Sequence, residues 1–219
     1  MTLSPEDLYR QRFAGTNQQT RLALWRVLCD DCLQRYVAPA DTVVDLGAGF
    51  CEFINTIRCR SKIAVDTNPA VRQHAASDVR VVAGDIPAAL KEVESGTADV
   101  VFSSNFLEHL RDKTAVLAVL REAHRLLVAG GRVIIIQPNI RYAYKEYWDF
   151  FDHHVALSDA SISEALQLVG FHIDEMRPRF LPYTTKSRVP QTAALLRFYL
   201  RCPPLQWLFG KQMLVVARK

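Results

Sequence analysis

The chain has 219 residues, with 27 Lys and Arg against 23 Asp and Glu (net charge +4), and is 49% apolar and 23% charged. These values fit one globular domain able to bury a core, and they exclude intrinsic disorder, collagen or a coiled coil throughout. No apolar run approaches the roughly 18 residues of a membrane span, and the charged start MTLSPEDLYRQRF holds no signal-peptide apolar region. Five cysteines do not make a disulfide framework, and Cys29 and Cys32, in a helical pattern with no histidine nearby, do not complete a zinc site. The expected location is the cytoplasm. Residues 176–219 hold nine Lys or Arg and no Asp or Glu, which leaves 18 basic against 23 acidic residues, a net charge of −5, in the first 175.

In chain order, residues 1–40 read as a helical N-terminal cap: a short helix near Leu8 to Phe13, then a longer one from Thr20 to Tyr36, with Leu22, Trp25, Leu28, Cys29 and Leu33 on one face. Short apolar runs then alternate with amphipathic stretches, the pattern of a largely parallel sheet wound with helices. Strands are expected at Thr42–Leu46, Ile63–Asp66, Val79–Ala83, Val100–Ser103 and Val133–Gln137. Helices are expected at Glu52–Ile57, Ala70–Ala75, Ile86–Val93 and Thr114–Leu127, the last closed by Gly130 and Gly131. After Pro138 comes the aromatic segment RYAYKEYWDFFDHH. A helix follows, capped by Ser161 with Glu164 and ended by Gly170. Phe171–Met176 and Met213–Ala217 read as the last two strands, separated by 36 residues where a hairpin needs roughly two to five. The expected layout is one domain: cap 1–40, cofactor-binding core 41–176, a basic aromatic insert 177–212 containing the helical piece AALLRFYLR and a Pro203-Pro204 break, and a last strand 213–219.

The first strand ends in VVDLGAGFCEF, where Gly47 and Gly49 let the backbone turn and approach a ligand. A dinucleotide fingerprint needs glycine at position 52, but Glu52 stands there and would repel a pyrophosphate; a P-loop is excluded because Gly210-Lys211 is followed by Gln212. The loop resembles the first motif of class I S-adenosylmethionine-dependent methyltransferases, with Asp45, Gly47, Ala48 and Gly49 in the motif positions. The resemblance continues, in the family's order, through AVDTNP with Asp66 and Thr67, AGDI with Asp85 and Ile86, FSSNFLEHL with Ser104 and Asn105, and GGRVIIIQP. It covers roughly residues 40–176 and the closing strand, and departs from the family at Cys51, the third glycine position, and at Val128-Ala129, where Lys-Pro is usual.

The resemblance implies a Rossmann-like α/β fold: a doubly wound, seven-stranded, mainly parallel sheet with the last strand antiparallel. It also implies S-adenosylmethionine as cofactor. On this basis Asp66 accepts from the ribose hydroxyls or caps the next helix, Asp85 and the Ile86 amide meet the adenine, and Asp45 touches ligand or holds the loop from below. In-line methyl transfer needs a positioned nucleophile and, for a hydroxyl acceptor, a base. His109, His153 and His154 lie after the fourth and fifth strands, where ligands bind, whereas His74, His124 and His172 read as surface or packing residues. No metal is required, since a solvated helix end accounts for Asp149, Asp152 and His153.

The sixth strand should run parallel to the core, so the insert can close over the acceptor with Arg177, Arg179, Lys186, Arg188, Arg197 and Arg201 among its aromatics. That suits a small-molecule or lipid-linked acceptor bearing phosphate, with peripheral contact at the inner membrane surface through 177–212, and no nucleic acid. FLPYTTKS, SNFLEHL and FDHH also resemble bacterial methyltransferases of surface glycan and glycolipid biosynthesis, which points to O-methylation of a sugar or lipid-linked glycan. The alternatives are methylation of a small aromatic or quinone, or a binding module without turnover. Trp207 and Phe209 allow either a monomer or a homodimer.

Overall fold

The computed structural model describes residues 18–183 and 192–219. The helix expected near Leu8 to Phe13 lies outside them, as do Lys186 and Arg188. Seven strands form one sheet: β1 (Thr42–Leu46), β2 (Ser61–Asp66), β3 (Val79–Ala83), β4 (Ala98–Ser104), β5 (Leu127–Pro138), β6 (His172–Leu181) and β7 (Gln212–Arg218). Their order is β3-β2-β1-β4-β5-β7-β6. Strands β1 to β5 pair in parallel, and β7 runs antiparallel to both β5 and β6. This is the Rossmann-like doubly wound sheet with an antiparallel last strand.

The strands alternate their side chains between two buried faces, so each reads as a nearly continuous apolar run. One face carries Val44, Leu46, Val101, Val133, Ile135 and Val215, covered by α4 (Lys113–Leu126) and α6 (Asp159–Val169) through Val116, Val119, Leu120, Ile162 and Leu166. The other face carries Val43, Val100, Phe102, Ile134, Ile136 and Leu214. It packs against α1 (Gln18–Leu28), α2 (Glu52–Thr56) and α7 (Ala193–Leu200). At its centre the Phe53 and Phe102 rings stack with centroids 3.6 Å apart, and Trp25 meets Phe102 edge-on at 6.1 Å.

Several expected boundaries move, each for a local reason. The long N-terminal helix continues past α1 as a π-helical turn, Cys29–Leu33, then a 3₁₀ turn, Gln34–Tyr36; the wider turn buries Cys32 as well as Cys29. The segment expected as the helix Ile86–Val93 is a 3₁₀ turn, Ala88–Glu92, after a cis Ile86–Pro87 bond. Helix α4 does not end at the glycine pair: it stops at Leu126, and Gly130 and Gly131 lie in the first half of β5. The cap of α6 is Ser158, and Ser161 is its third residue, reaching back to the Ser158 amide. The short helix α3 (Val71–His74) follows β2, and α5 (Ile140–Ala143) follows β5.

The basic segment is also rearranged. Strand β6 extends to Leu181, so Arg177, Arg179 and Phe180 belong to the sheet, and Pro203-Pro204 begin a helix, α8 (Pro203–Phe209), as its first residues. Helix α7 packs on α1 and α8 on β6. The expectation that the insert covers the acceptor is therefore corrected for its described residues. Helices α7 and α8 lie on the sheet face beside α1 and on β6, anchored by the Tyr199 hydroxyl, which donates to the Phe180 carbonyl, and no described insert residue lines the cavity.

At the sheet edge Glu175 accepts from the Tyr36 hydroxyl (2.6 Å), Arg35 and Arg177. Burial raises its carboxyl pKa, but the Tyr36 and Arg177 hydrogen bonds and the neighbouring guanidinium charges outweigh this and hold it below the ordinary value.

Two predictions follow from packing and charge. Phe102→Ala should destabilise the fold by about 3–5 kcal/mol, as it removes a fully buried ring from the aromatic stack; denaturant unfolding measures this. Because the folded carboxyl of Glu175 is depressed, its contribution is complete above the unfolded value of about 4.3 and fades as pH falls below it. Melting of Glu175→Gln against wild type should therefore differ at neutral pH and converge in acid.

Candidate functional site

Strands β1 and β4 are neighbours, but the chain leaves them in opposite directions, and the loops at their carboxyl ends part to form a crevice. A cavity of about 1020 Å³ opens there. Its near wall is the loop after β1. Gly47 and Gly49 have φ of +73° and +52°, and a Cβ on Gly47 would stand 2.7 Å from the Phe106 ring. Cys51 also has positive φ (60°), at the position where the family carries its third glycine. That left-handed conformation costs a non-glycine residue roughly 1–2 kcal/mol, and the buried Cys51 fits tightly, its thiol against the Val71 carbonyl. Burial pushes that thiol up to about 12, with Asp45, Asp66 and Glu52 adding to the effect, so it packs rather than reacts.

Asp66, at the end of β2, ties the loop down. One carboxylate oxygen accepts from the Gly49 amide at 2.7 Å and the other from the Asn68 amide at 2.8 Å, while the carboxylate borders the cavity. Each oxygen keeps acceptor capacity for a ligand hydroxyl. Thr67, Asp85, Ile86 and Asn105 also line the cavity, Asn105 with φ of +49°. Asp45, Ala48 and Ser104 do not. Asp45 lies beneath the loop, where burial pushes its carboxyl well above the ordinary range and the Asp66 and Glu52 charges push further. Ala48 is buried with its amide directed to the Val65 carbonyl, and the Ser104 hydroxyl accepts from Asn105. Of Asp45's two expected roles, its placement matches holding the loop from below.

Three features of this wall were not foreseen. Glu52 pairs with Arg21 of α1 at 2.8 Å, and the same guanidinium lies 4.4 Å over the Phe50 ring, which borders the cavity. His74 lines the cavity with its ring edge-on to Phe50 at 4.9 Å. The carboxylates of Asp66 and Asp85 at the cavity wall make a field that suits a cation and a ribose and disfavours a pyrophosphate. The glycine loop, the Asp66 clamp and this field fit an adenosyl sulfonium.

The opposite end of the cavity is bordered by His109, Asp152 and His154. His109 ends a 3₁₀ turn (Leu107–His109) after β4. Its Nδ1 meets the Asp152 carboxylate at 3.2 Å and the Asp152 carbonyl at 3.0 Å. Burial lowers the ring's pKa, but the Asp152 hydrogen bond and the Glu108 and Asp152 charges outweigh it and hold it above the ordinary value. The turn is clamped to the 152–155 segment, because the His154 and Val155 amides both donate to the Glu108 carbonyl (2.8 and 3.2 Å). Glu108 is buried, and burial raises its carboxyl despite the adjacent His109. His153 lies behind the wall, buried and stacked on Phe150 at 4.8 Å, with Nδ1 2.9 Å from the Tyr147 carbonyl and its ring 5.0 Å from His109. Of the described insert residues, Tyr183 comes near, 6.4 Å from the His153 ring. Among the described residues, Glu108, His109 and His153, rather than Asp149, Asp152 and His153, gather potential metal-ligand atoms, all within 4.8 Å of one another.

Removing the Asp66 carboxylate should weaken S-adenosylhomocysteine binding roughly 10- to 100-fold, since hydrogen bonds to a charged group are each worth about 1.5–3 kcal/mol. Gly47→Ala, which drives a Cβ into Phe106, should lose binding at least as severely. Calorimetric titration of Asp66→Ala and Gly47→Ala checks both, with thermal melting reporting whether each variant folds.

A family model described as a methyltransferase domain matches residues 44–135, the stretch from β1 to β5 that carries the cofactor loop. No curated protein matches the chain. Among solved structures, an S-adenosylmethionine-dependent methyltransferase from Archaeoglobus fulgidus is 19% identical with a TM-score of 0.69, over 99% of this chain and 100% of that one. The methyltransferase solved with the Trm112 methyltransferase activator of Haloferax volcanii is 20% identical with a TM-score of 0.68, over 97% of each chain. An S-adenosylmethionine-dependent methyltransferase from Mesorhizobium loti is 19% identical with a TM-score of 0.58, over 90% of this chain and 98% of that one. At these identities the structures establish the fold, while the domain match covers the glycine loop and the ends of strands β1 to β4 that border the cavity. Residues 44–135 match a methyltransferase domain, and the chain has the fold of S-adenosylmethionine-dependent methyltransferases.

Proposed function

We propose that the enzyme methylates a hydroxyl oxygen of a sugar or lipid-linked glycan intermediate. The observation that carries this reading is the polar wall of His109, Asp152 and His154 at the far end of a cavity whose near end is the cofactor loop. S-adenosylmethionine, which Gly47, Gly49, Asp66, Asp85 and Ile86 would hold, would supply a sulfonium methyl group to a lone pair of the acceptor oxygen and leave as neutral S-adenosylhomocysteine. The wall orients the acceptor hydroxyl and accepts its proton on an imidazole, and His109 and His154 are the two imidazoles that border the cavity there. An N- or S-methyltransferase would have less need of an imidazole fixed by a carboxylate.

The lipid-linked part of the reading is supported by the surface of α7 and α8, where Phe198, Trp207, Leu208 and Phe209 stand exposed in the basic C-terminal segment. Arg179 lies 4.0 Å over Tyr142 and 5.3 Å over Trp207, which places a positive charge among these aromatics. Such a surface suits contact with anionic headgroups at a membrane. Among the described residues no helix is long and apolar enough to cross one.

His109→Ala and His154→Ala should leave S-adenosylhomocysteine affinity within a few-fold of wild type. Loss of the proton-accepting imidazole should lower methyl transfer by about 10²–10⁴-fold. The assay follows labelled methyl from S-adenosylmethionine into fractionated cell-envelope lipids, with label expected in the polar, phosphate-bearing fraction. Label confined to a neutral quinone-like fraction would contradict the glycan reading, and transfer unaffected by both variants would contradict the role of the wall.

A further inference from the structure

Glu108 carries a feature that neither cofactor nor acceptor explains. It is 1% exposed, and its Oε2 has no hydrogen-bond partner. An unpaired buried polar atom costs about 1–3 kcal/mol, and more when charged. The Gln137 side-chain amide at the end of β5 lies beside this carboxyl and donates toward it.

The side chains around it form a metal-ligand set. Glu108, His109 and His153 bring one ligand atom each within 4.8 Å of one another. Ligands about 2.0–2.2 Å from a shared ion lie somewhat closer together than this, a difference that small side-chain rotations close. In both rings Nδ1 faces an oxygen acceptor, Asp152 for His109 and the Tyr147 carbonyl for His153. Metal-binding histidines are oriented in this way, with the second nitrogen, Nε2, coordinating. The backbone that carries the set is fixed by the His154 and Val155 amides on the Glu108 carbonyl.

We propose that Glu108, His109 and His153 bind one divalent transition-metal ion behind the acceptor wall, with open coordination positions toward the acceptor oxygen. Two imidazoles and a carboxylate suit Zn²⁺, Co²⁺ or Mn²⁺ better than the all-oxygen shell of Ca²⁺. The inference rests on reading this end of the cavity as a hydroxyl-acceptor site. It divides the work of the two imidazoles: His109 holds the ion and Asp152 orients His109, leaving His154 to take the proton.

The test uses the full chain, stripped with a chelator and titrated with Co²⁺, followed by its visible absorption, and with Zn²⁺, followed by calorimetry. Wild type should bind one ion per chain. Glu108→Gln and His153→Gln should abolish saturable binding, and Asp152→Asn should weaken it about 10- to 100-fold, as loss of an orienting partner does. S-adenosylhomocysteine binding and melting curves identify the variants that fold. No saturable binding by wild type, or unchanged affinity in folded Glu108→Gln, overturns the inference. If the stripped protein binds no ion yet methylates a hydroxyl in a His109-dependent way, the metal site falls and the O-methylation reading stands. If the ion binds as expected and only a nitrogen or sulfur acceptor is methylated, the reading falls and the metal site stands.

Discussion

Everything at the site depends on one topological fact: β1 and β4 lie side by side while the chain winds away from them in opposite directions. No loop can bridge the crevice between their carboxyl ends without crossing it, so the crevice stays open and its walls are built from loops held by rigid strands. The Asp66 carboxylate, offered by β2 next to β1, fixes the near wall through the Gly49 amide. The Glu108 carbonyl, offered just past β4, fixes the far wall through two amides of the 152–155 segment. Both walls are thus fixed by hydrogen bonds to main-chain amides close to the sheet.

The electrostatics of the two ends differ in kind. Around the glycine loop Asp66 and Asp85 face the cavity while Arg21 is held by Glu52, so a positively charged sulfonium is favoured over an anionic phosphate. At the far end the charges are arranged in pairs that fix an imidazole, with burial and the Asp152 and Glu108 carboxylates acting on His109 in opposite senses. The buried Asp45 serves the first end indirectly: it sits under the loop, and its carboxyl is driven toward the neutral form that a dry position allows.

Much of this was legible in the sequence because it is local. The apolar runs marked the strands of the core, since a strand buried on both faces must be apolar along its length, and the glycine pair after β1 marked the turn that needs positive φ. Where local signals competed, the reading slipped. Gly130-Gly131 resembles a helix stop but lies in β5, and Ser161 resembles a cap but is the third residue after the cap Ser158. The π-helical turn at Cys29–Leu33 leaves no mark in a 3.6-residue pattern. What remained hidden is long-range: Arg21 reaches Glu52 across 31 positions and His109 reaches Asp152 across 43, and no spacing rule joins residues that only the sheet brings together. His74 read as a surface or packing residue because its position at the end of α3 borders the cavity only once β1 and β2 are side by side.

The most direct test of the account is a crystal structure of the complex with S-adenosylhomocysteine. The account predicts the ribose at Asp66, the adenine beside Asp85 and Ile86, the amino-acid end against the Gly47–Gly49 loop, and the sulfur facing the wall of His109 and His154. A ligand bound outside this crevice, or one whose sulfur faces away from that wall, would contradict it.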